Sequence, residues 1–248
     1  MIIEGANNQQ WQFRQAAFVF LGMIAESCDK FFQKNFTDAV QLVSKGIVDG
    51  ECRVRYQALM ALGLILNVAS PLIQTKYHQD FMPMFLKMIS DEEMVKLKAQ
   101  TVSCTINFVK GLIEEGEDDD DKKKKHAQIL DPYIQPLVKA IQAMLDLGIK
   151  ANYAPLQGET LGLLSVMAEL LADKFAALYS SFMPALKTIL QNTPMEKTEQ
   201  KELRGNCISA IANILDSVKD QPEVCRVDAL EITTQLVGSL KHLEDTDP

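Results

Sequence analysis

Apolar residues recur at intervals of three and four along most of the chain, as on one face of an α-helix. From Trp11 to Cys28 the stripe runs Trp11, Ala16, Ala17, Phe20, Leu21 and Ile24. Sustained alternation, the mark of a half-buried strand, is absent, and β-branched clusters are sparse. The pattern predicts an all-α chain whose helices come in pairs.

The pairs resemble one another. Val54–Ile65 (VRYQALMALGLI) lies over Phe13–Ile24 (FRQAAFVFLGMI) at an offset of 41 residues, setting Arg14 on Arg55, Ala17 on Ala58 and Gly22 on Gly63. A further offset of 43 brings Leu97, Lys98, Val102 and Phe108 over Val54, Arg55, Leu59 and Ile65. The fourth copy is Leu156–Met167 and the fifth Leu203–Ile214, offset by 59 and 47 residues. Helical pairs at about 40–47 residues define the HEAT/armadillo class. The predicted fold is therefore an α-α superhelix, a single solenoid segment over 1–248. It has about five helical-hairpin repeats, near 8–49, 50–91, 92–149, 150–195 and 196–243.

Second helices carry their own signature. Phe81-Met82-Pro83 and Phe182-Met183-Pro184 repeat outright, with Tyr133-Ile134-Gln135-Pro136 as a variant. A proline inside a helix removes a hydrogen bond, so its recurrence at one place points to a first-turn position or a kink that curves the helix over its neighbour. Small residues such as Ala17, Ala58 and Ala61 set how closely helices approach. Arg14, Arg55 and Arg204 stand at equivalent positions; stacked repeats favour an inter-repeat ladder, bonding carbonyls or an acid of the adjacent repeat, over three solvated arginines.

Composition narrows the function classes. Of 248 residues 47% are hydrophobic and 23% charged, ample for a large core. The balance of 25 basic against 33 acidic residues, net −8, argues against a nucleic-acid groove and favours basic partners. No apolar run approaches the roughly 20 residues that span a bilayer, so no membrane insertion is expected. Met1–Gln10 lacks a basic n-region and an apolar h-region, which predicts no secretion. The five widely spaced cysteines (Cys28, Cys52, Cys104, Cys207, Cys225) read as reduced core thiols in a reducing compartment.

Catalytic and ligand motifs are missing. His78, His126 and His242 show no zinc-ligand spacing, and there is no phosphate-binding glycine pattern, nucleophile elbow or CxxC. The chain is expected to be neither an enzyme nor a metal or cofactor binder. One local feature stands out, a charged insert over 114–126 within the third repeat. Glu114, Glu115, Glu117, Asp118, Asp119, Asp120 and Asp121 precede Lys122–Lys125, seven acids against four lysines. It reads either as an acidic arm that captures or releases a basic partner, or as a solvated loop whose two blocks partly cancel. The residues leave both open.

The run Trp11–Ala17 with Gly22–Cys28 is similar to the tryptophan/arginine/alanine helix of the importin-β (karyopherin-β) family. Asp49, Val54–Ala58 and Lys76-Tyr77-His78 match a further stretch of it. Asn107-Phe108, Lys174-Phe175, Phe182-Met183-Pro184, Lys201–Gly205 and Leu243–Pro248 resemble its importin beta-3 branch in order and spacing. The chain departs from that pattern at Glu114–His126. An acidic loop of importin-β contacts the small GTPase Ran, and the insert is similar to it in placement.

The resemblance implies a central segment of a nuclear import receptor that shuttles between cytoplasm and nucleus. First helices would form the convex face, whose grooves take phenylalanine-glycine nucleoporins. Second helices would form a concave face that holds protein cargo with basic localisation signals until Ran in its GTP form displaces it. Asp38, Gln41, Asp80, Gln135, Gln142 and Asp228 are then the candidate cargo contacts, although ordinary solvent exposure accounts for any one of them alone. A HEAT-repeat assembly scaffold, such as a phosphatase scaffold subunit, is the alternative.

Overall fold

The structure is a computed structural model that describes residues 1–113, 128–194 and 196–240. Among the described residues there are eleven α-helices and no strand. They are α1 (Ile2–Ala6), α2 (Trp11–Ser27), α3 (Asp29–Ile47), α4 (Cys52–Val68), α5 (Leu72–Asp91) and α6 (Val95–Ile113). A 3-10 turn at Asp131–Tyr133 leads into α7 (Ile134–Ala151), followed by α8 (Ala154–Leu171). A second 3-10 turn at Ala172–Ala177 precedes α9 (Tyr179–Asn192), α10 (Thr198–Ser217) and α11 (Pro222–Leu240).

The chain divides into two compact units, residues 1–163 and 164–248. In the first, α2, α4, α6 and the start of α8 form one layer and α3, α5 and α7 another. The apolar stripes explain the layering. On α7 the buried residues are Leu137, Val138, Ile141, Met144, Leu145 and Gly148, one face of a helix. On α6 burial widens to include Thr101 and Thr105, because α4 and α5 both pack against it. Those two hydroxyls donate to the carbonyls of Leu97 and Thr101, so no polar group there is left without a partner. Phe81, Phe85 and Phe108 meet between α5 and α6 with ring centroids 5.9–6.4 Å apart. In the second unit Phe175 stacks on Phe182, and Leu186, Leu190, Cys207 and Ile211 complete the core.

Three helices approach closely at Gly46 on α3. A Cβ there would stand 2.3 Å from Phe18 Cζ on α2 and 2.8 Å from Ala58 Cβ on α4. Glycine lets α3 seat against both first helices at once.

The arginine ladder forms, and it has five rungs rather than three. Arg14 donates to the carbonyls of Asn8 and Gln9 at 3.0 and 2.9 Å, and grips both carboxylate oxygens of Asp49 at 2.7 and 2.8 Å. Arg55 repeats this one pair later, on the Asp49 and Gly50 carbonyls and on Glu92 at 3.0 Å. Lys98 donates to the carbonyls of Ile89 and Ser90, Gln157 to Gly148 at 2.9 Å, and Arg204 to Leu190. Each rung ties the start of a first helix to the backbone that precedes it. Acceptors repeat as well: Asn8, Asp49 and Glu92 each take the backbone N–H two residues on, and so shape the turn before the next helix.

Two expectations are corrected. Only Cys104 and Cys207 are core thiols; Cys28 is exposed and Cys52 and Cys225 half-buried. The three outliers stand at or near helix N-termini, outside the apolar stripes. Phe20 and Ile24 are exposed, and α2 instead buries Ala17, Phe18, Leu21, Gly22 and Ala25, the side facing α3 and α4. Of the signature prolines, Pro136 lies in the first turn of α7, but Pro83 is deep inside α5. Pro83, Pro136 and Pro184 are all exposed, and the carbonyls that Pro83 and Pro184 leave unbonded belong to Gln79 and Ser180, exposed residues open to water.

Candidate partner-binding face

The second helices of the first unit are joined side by side by aromatic and cationic contacts. Lys76 on α5 lies 5.5 Å from the Phe36 ring centroid on α3 and 5.2 Å from that of Tyr77. His78 Nδ1 and Tyr133 Oη are 3.1 Å apart, linking α5 to the turn before α7. Burial raises the Tyr133 phenol above its ordinary range, so it stays protonated there.

The cargo-contact candidates do not converge on one site. Asp38 and Gln41 are exposed and share a cleft of about 700 Å³ with the apolar Ile3, Leu21, Ile24 and Phe32. Lys45 lines the same cleft and donates to Asn7 Oδ1. Gln135, also exposed, lines a different cleft of about 690 Å³ between α5 and α7. Asp80 is exposed on α5 and Gln142 half-buried on α7; neither lines these two clefts. Glu114, Glu115, Glu117 and Asp118–Asp121 lie outside the described residues.

Asp228, in the second unit, already has partners within the chain. Lys187 Nζ donates to it at 3.0 Å and to Glu231, and the Tyr179 hydroxyl donates at 3.1 Å. Burial, with the Asp228 carboxylate behind it, pushes the Tyr179 phenol well up. The Lys187 ammonium is raised by Glu231 and then by Asp228. This cluster fastens α9 to α11.

Two groups of charges were not recognised from the sequence as lining clefts. Lys98 and Lys139 line the α5–α7 cleft. Glu169, Asp173, Asp216 and Asp220 line a third cleft of about 620 Å³ between the ends of α8 and α10, beside Lys219. A signal for the acids existed: the offset of 47 that relates the fourth and fifth copies sets Glu169 on Asp216 and Asp173 on Asp220. Among the described residues no group of three or more histidine, cysteine or acidic side chains could hold a metal ion. No helix there is long and apolar enough to cross a membrane.

Paired helices in two layers, tied by one repeating donor, define a HEAT-type α-α solenoid with open clefts and ion-paired faces. No protein-family model matches the chain. Importin subunit beta-3 of Saccharomyces cerevisiae is 24% identical over 199 residues, covering 80% of this chain and 16% of the relative. Probable importin subunit beta-4 of Schizosaccharomyces pombe is 22% identical over 216 residues, covering 87% and 18%. The crystal structure of Kap121p superposes with a TM-score of 0.79 at 22% identity, over 99% of this chain and 21% of that one. In sequence the chain is similar to these importin-β (karyopherin-β) relatives, and in fold to Kap121p. It spans about a sixth of the length of the curated relatives it matches.

Proposed function

We propose that the chain is the segment of a nuclear import receptor that carries cargo contacts, built from five repeats near 8–49, 50–91, 92–149, 150–195 and 196–243. The observation that carries this reading is the match in sequence and fold to importin relatives along nearly the whole chain. Kap121p has itself been crystallised bound to Pho4p and to Nup53p, which supports protein cargo and nucleoporins as the partner classes. Exposed Asp38, Gln41 and Asp80 on second helices supply acceptors for the lysines of a basic localisation signal. Asp228 contributes only after Lys187 lets go, and Gln142 only through its exposed edge. The acidic run 114–121 suits a basic surface of Ran in its GTP form, and grooves between first helices suit phenylalanine-glycine nucleoporins. A receptor of this kind shuttles between cytoplasm and nucleus and catalyses nothing.

The test immobilises the protein, loads a cell lysate and washes with Ran-GTP. Selective elution of nuclear proteins, together with weaker capture of a lysine-rich signal as salt rises, is expected. Partners that stay bound through Ran-GTP in one fixed stoichiometry would overturn the reading in favour of an assembly scaffold.

A further inference from the structure

The cleft between α5 and α7 differs in charge from the rest of an acidic chain. Its walls are apolar, formed by Leu86, Ile89, Pro136, Ala140, Ala143 and Met144. Its charged lining residues are Lys98 and Lys139, and no lining side chain is acidic. Lys98 is 7% exposed, and two of its three N–H donors go to the carbonyls of Ile89 and Ser90. Those carbonyls are neutral acceptors, so the charge itself has no carboxylate in contact. Asp91 and Glu92 act on it only from a distance, and Glu92 is engaged by Arg55. Burial accordingly lowers the Lys98 pKa, as expected of an ammonium without a counter-ion. Lys139 is exposed at the rim, with no ion-pair partner among the described residues.

We propose that this cleft docks a short acidic segment of a partner protein, with an apolar side chain seated between α5 and α7 and flanking carboxylates on Lys98 and Lys139. Charge complementarity selects the occupant. A basic signal would set like charges against two lysines beside apolar walls, whereas a carboxylate supplies the missing counter-ion. Size agrees: from Gln135 to Met144, the lining part of α7 rises about 14 Å, the length of about four extended residues. This surface does not rest on the import reading, since a scaffold with the same helices would carry it too. It is a second site, opposite in charge preference to the exposed acids of the second helices.

The probe is a dye-labelled Asp-Glu-Leu-Phe-Asp-Glu peptide, titrated by fluorescence anisotropy against the full chain. Controls are a peptide with lysines for its acids and one with alanines for Leu-Phe. The acidic peptide is expected to bind and both controls to fail. Lys139→Glu, at an exposed position, should weaken binding about tenfold at low salt by turning an attraction into a repulsion. Ala143→Trp, which fills the cleft from its exposed edge, should abolish it. Circular dichroism identical to the parent confirms that both variants fold. Equal binding of acidic and basic peptides, or binding unmoved by both substitutions, overturns the proposal. A gain in affinity on replacing 114–121 by Gly and Ser would also overturn it, by making the chain's own acidic run the occupant.

Discussion

Gly46→Ala and Gly205→Ala are the same chemical change on two helices, and the structure predicts opposite signs. In a helix interior the exchange gains about 0.8–1.0 kcal/mol from propensity alone, and less at Gly46, the penultimate residue of α3. Gly205 on α10 is exposed, and a Cβ there meets nothing within 4 Å, so that gain should appear in full. At Gly46 the new Cβ would stand 2.3 and 2.5 Å from the Phe18 ring and 2.8 Å from Ala58 Cβ. Phe18 and Ala58 are fully buried on two different helices, so α3 cannot evade one without meeting the other. Overpacking of this kind costs about 1–3 kcal/mol, and contact on both sides puts it at the upper end, leaving a net loss of about 1–2 kcal/mol. Urea unfolding reads the difference as a lower midpoint for Gly46→Ala and a higher one for Gly205→Ala, at unchanged slope. Adding Phe18→Leu should offset part of the Gly46→Ala loss, because the shorter side chain vacates the ring position; the double variant then falls less than the sum of the singles. If Gly46→Ala instead raises the midpoint, α3 does not seat where Gly46 places it, and the packing argument fails.

Asp49 is held below the ordinary carboxylate range, first by its hydrogen bonds from Arg14. A depressed folded pKa contributes stability that is present above the unfolded value near 4 and is lost as pH falls through the folded one. Asp49→Asn should therefore flatten the acid limb of stability against pH, read from urea midpoints below about pH 4. Gln157→Ala removes a side-chain donor from the Gly148 carbonyl, which keeps the Tyr153 N–H at 3.1 Å, and should cost about 0.5–1.5 kcal/mol by the same melts. Burial pushes the Cys104 and Cys207 thiols up to about 12, and their S–H groups donate to the carbonyls of Leu59 and Leu186. At pH 8, iodoacetamide should label exposed Cys28 promptly and leave those two untouched until urea unfolds the chain, as counted by mass spectrometry.

Helix type and pairing were legible because period and burial agree over long stretches, as on α7. Arg14, Arg55 and Arg204 announced the ladder through identity of residue type. Lys98 and Gln157 stand at the same place in the superposed copies, but their different side chains hid the shared task. The break between α8 and α9 was hidden for a related reason. Asp173–Ser180 lies in register with Leu72–Gln79, yet the first stretch is partly a 3-10 turn and the second continuous α-helix. The break begins at Ala172, whose φ of 46° lies in the left-handed region, and periodicity does not encode it. The exposure of polar residues such as Asp38 and Gln41 was legible because it follows from helix phase. The pairing of Asp228 was not, since Lys187 lies 41 residues away in sequence.

The five rungs share one economy: every donor reaches a main-chain carbonyl, and that acceptor is present whatever residue occupies the position. Mutation can rewrite the side chains of a connecting turn without removing the group that the rung grips. Only the donor must persist, and even there arginine, lysine and glutamine serve in turn. A joint of this design lets a lineage drift far in sequence while its helices keep their stacking.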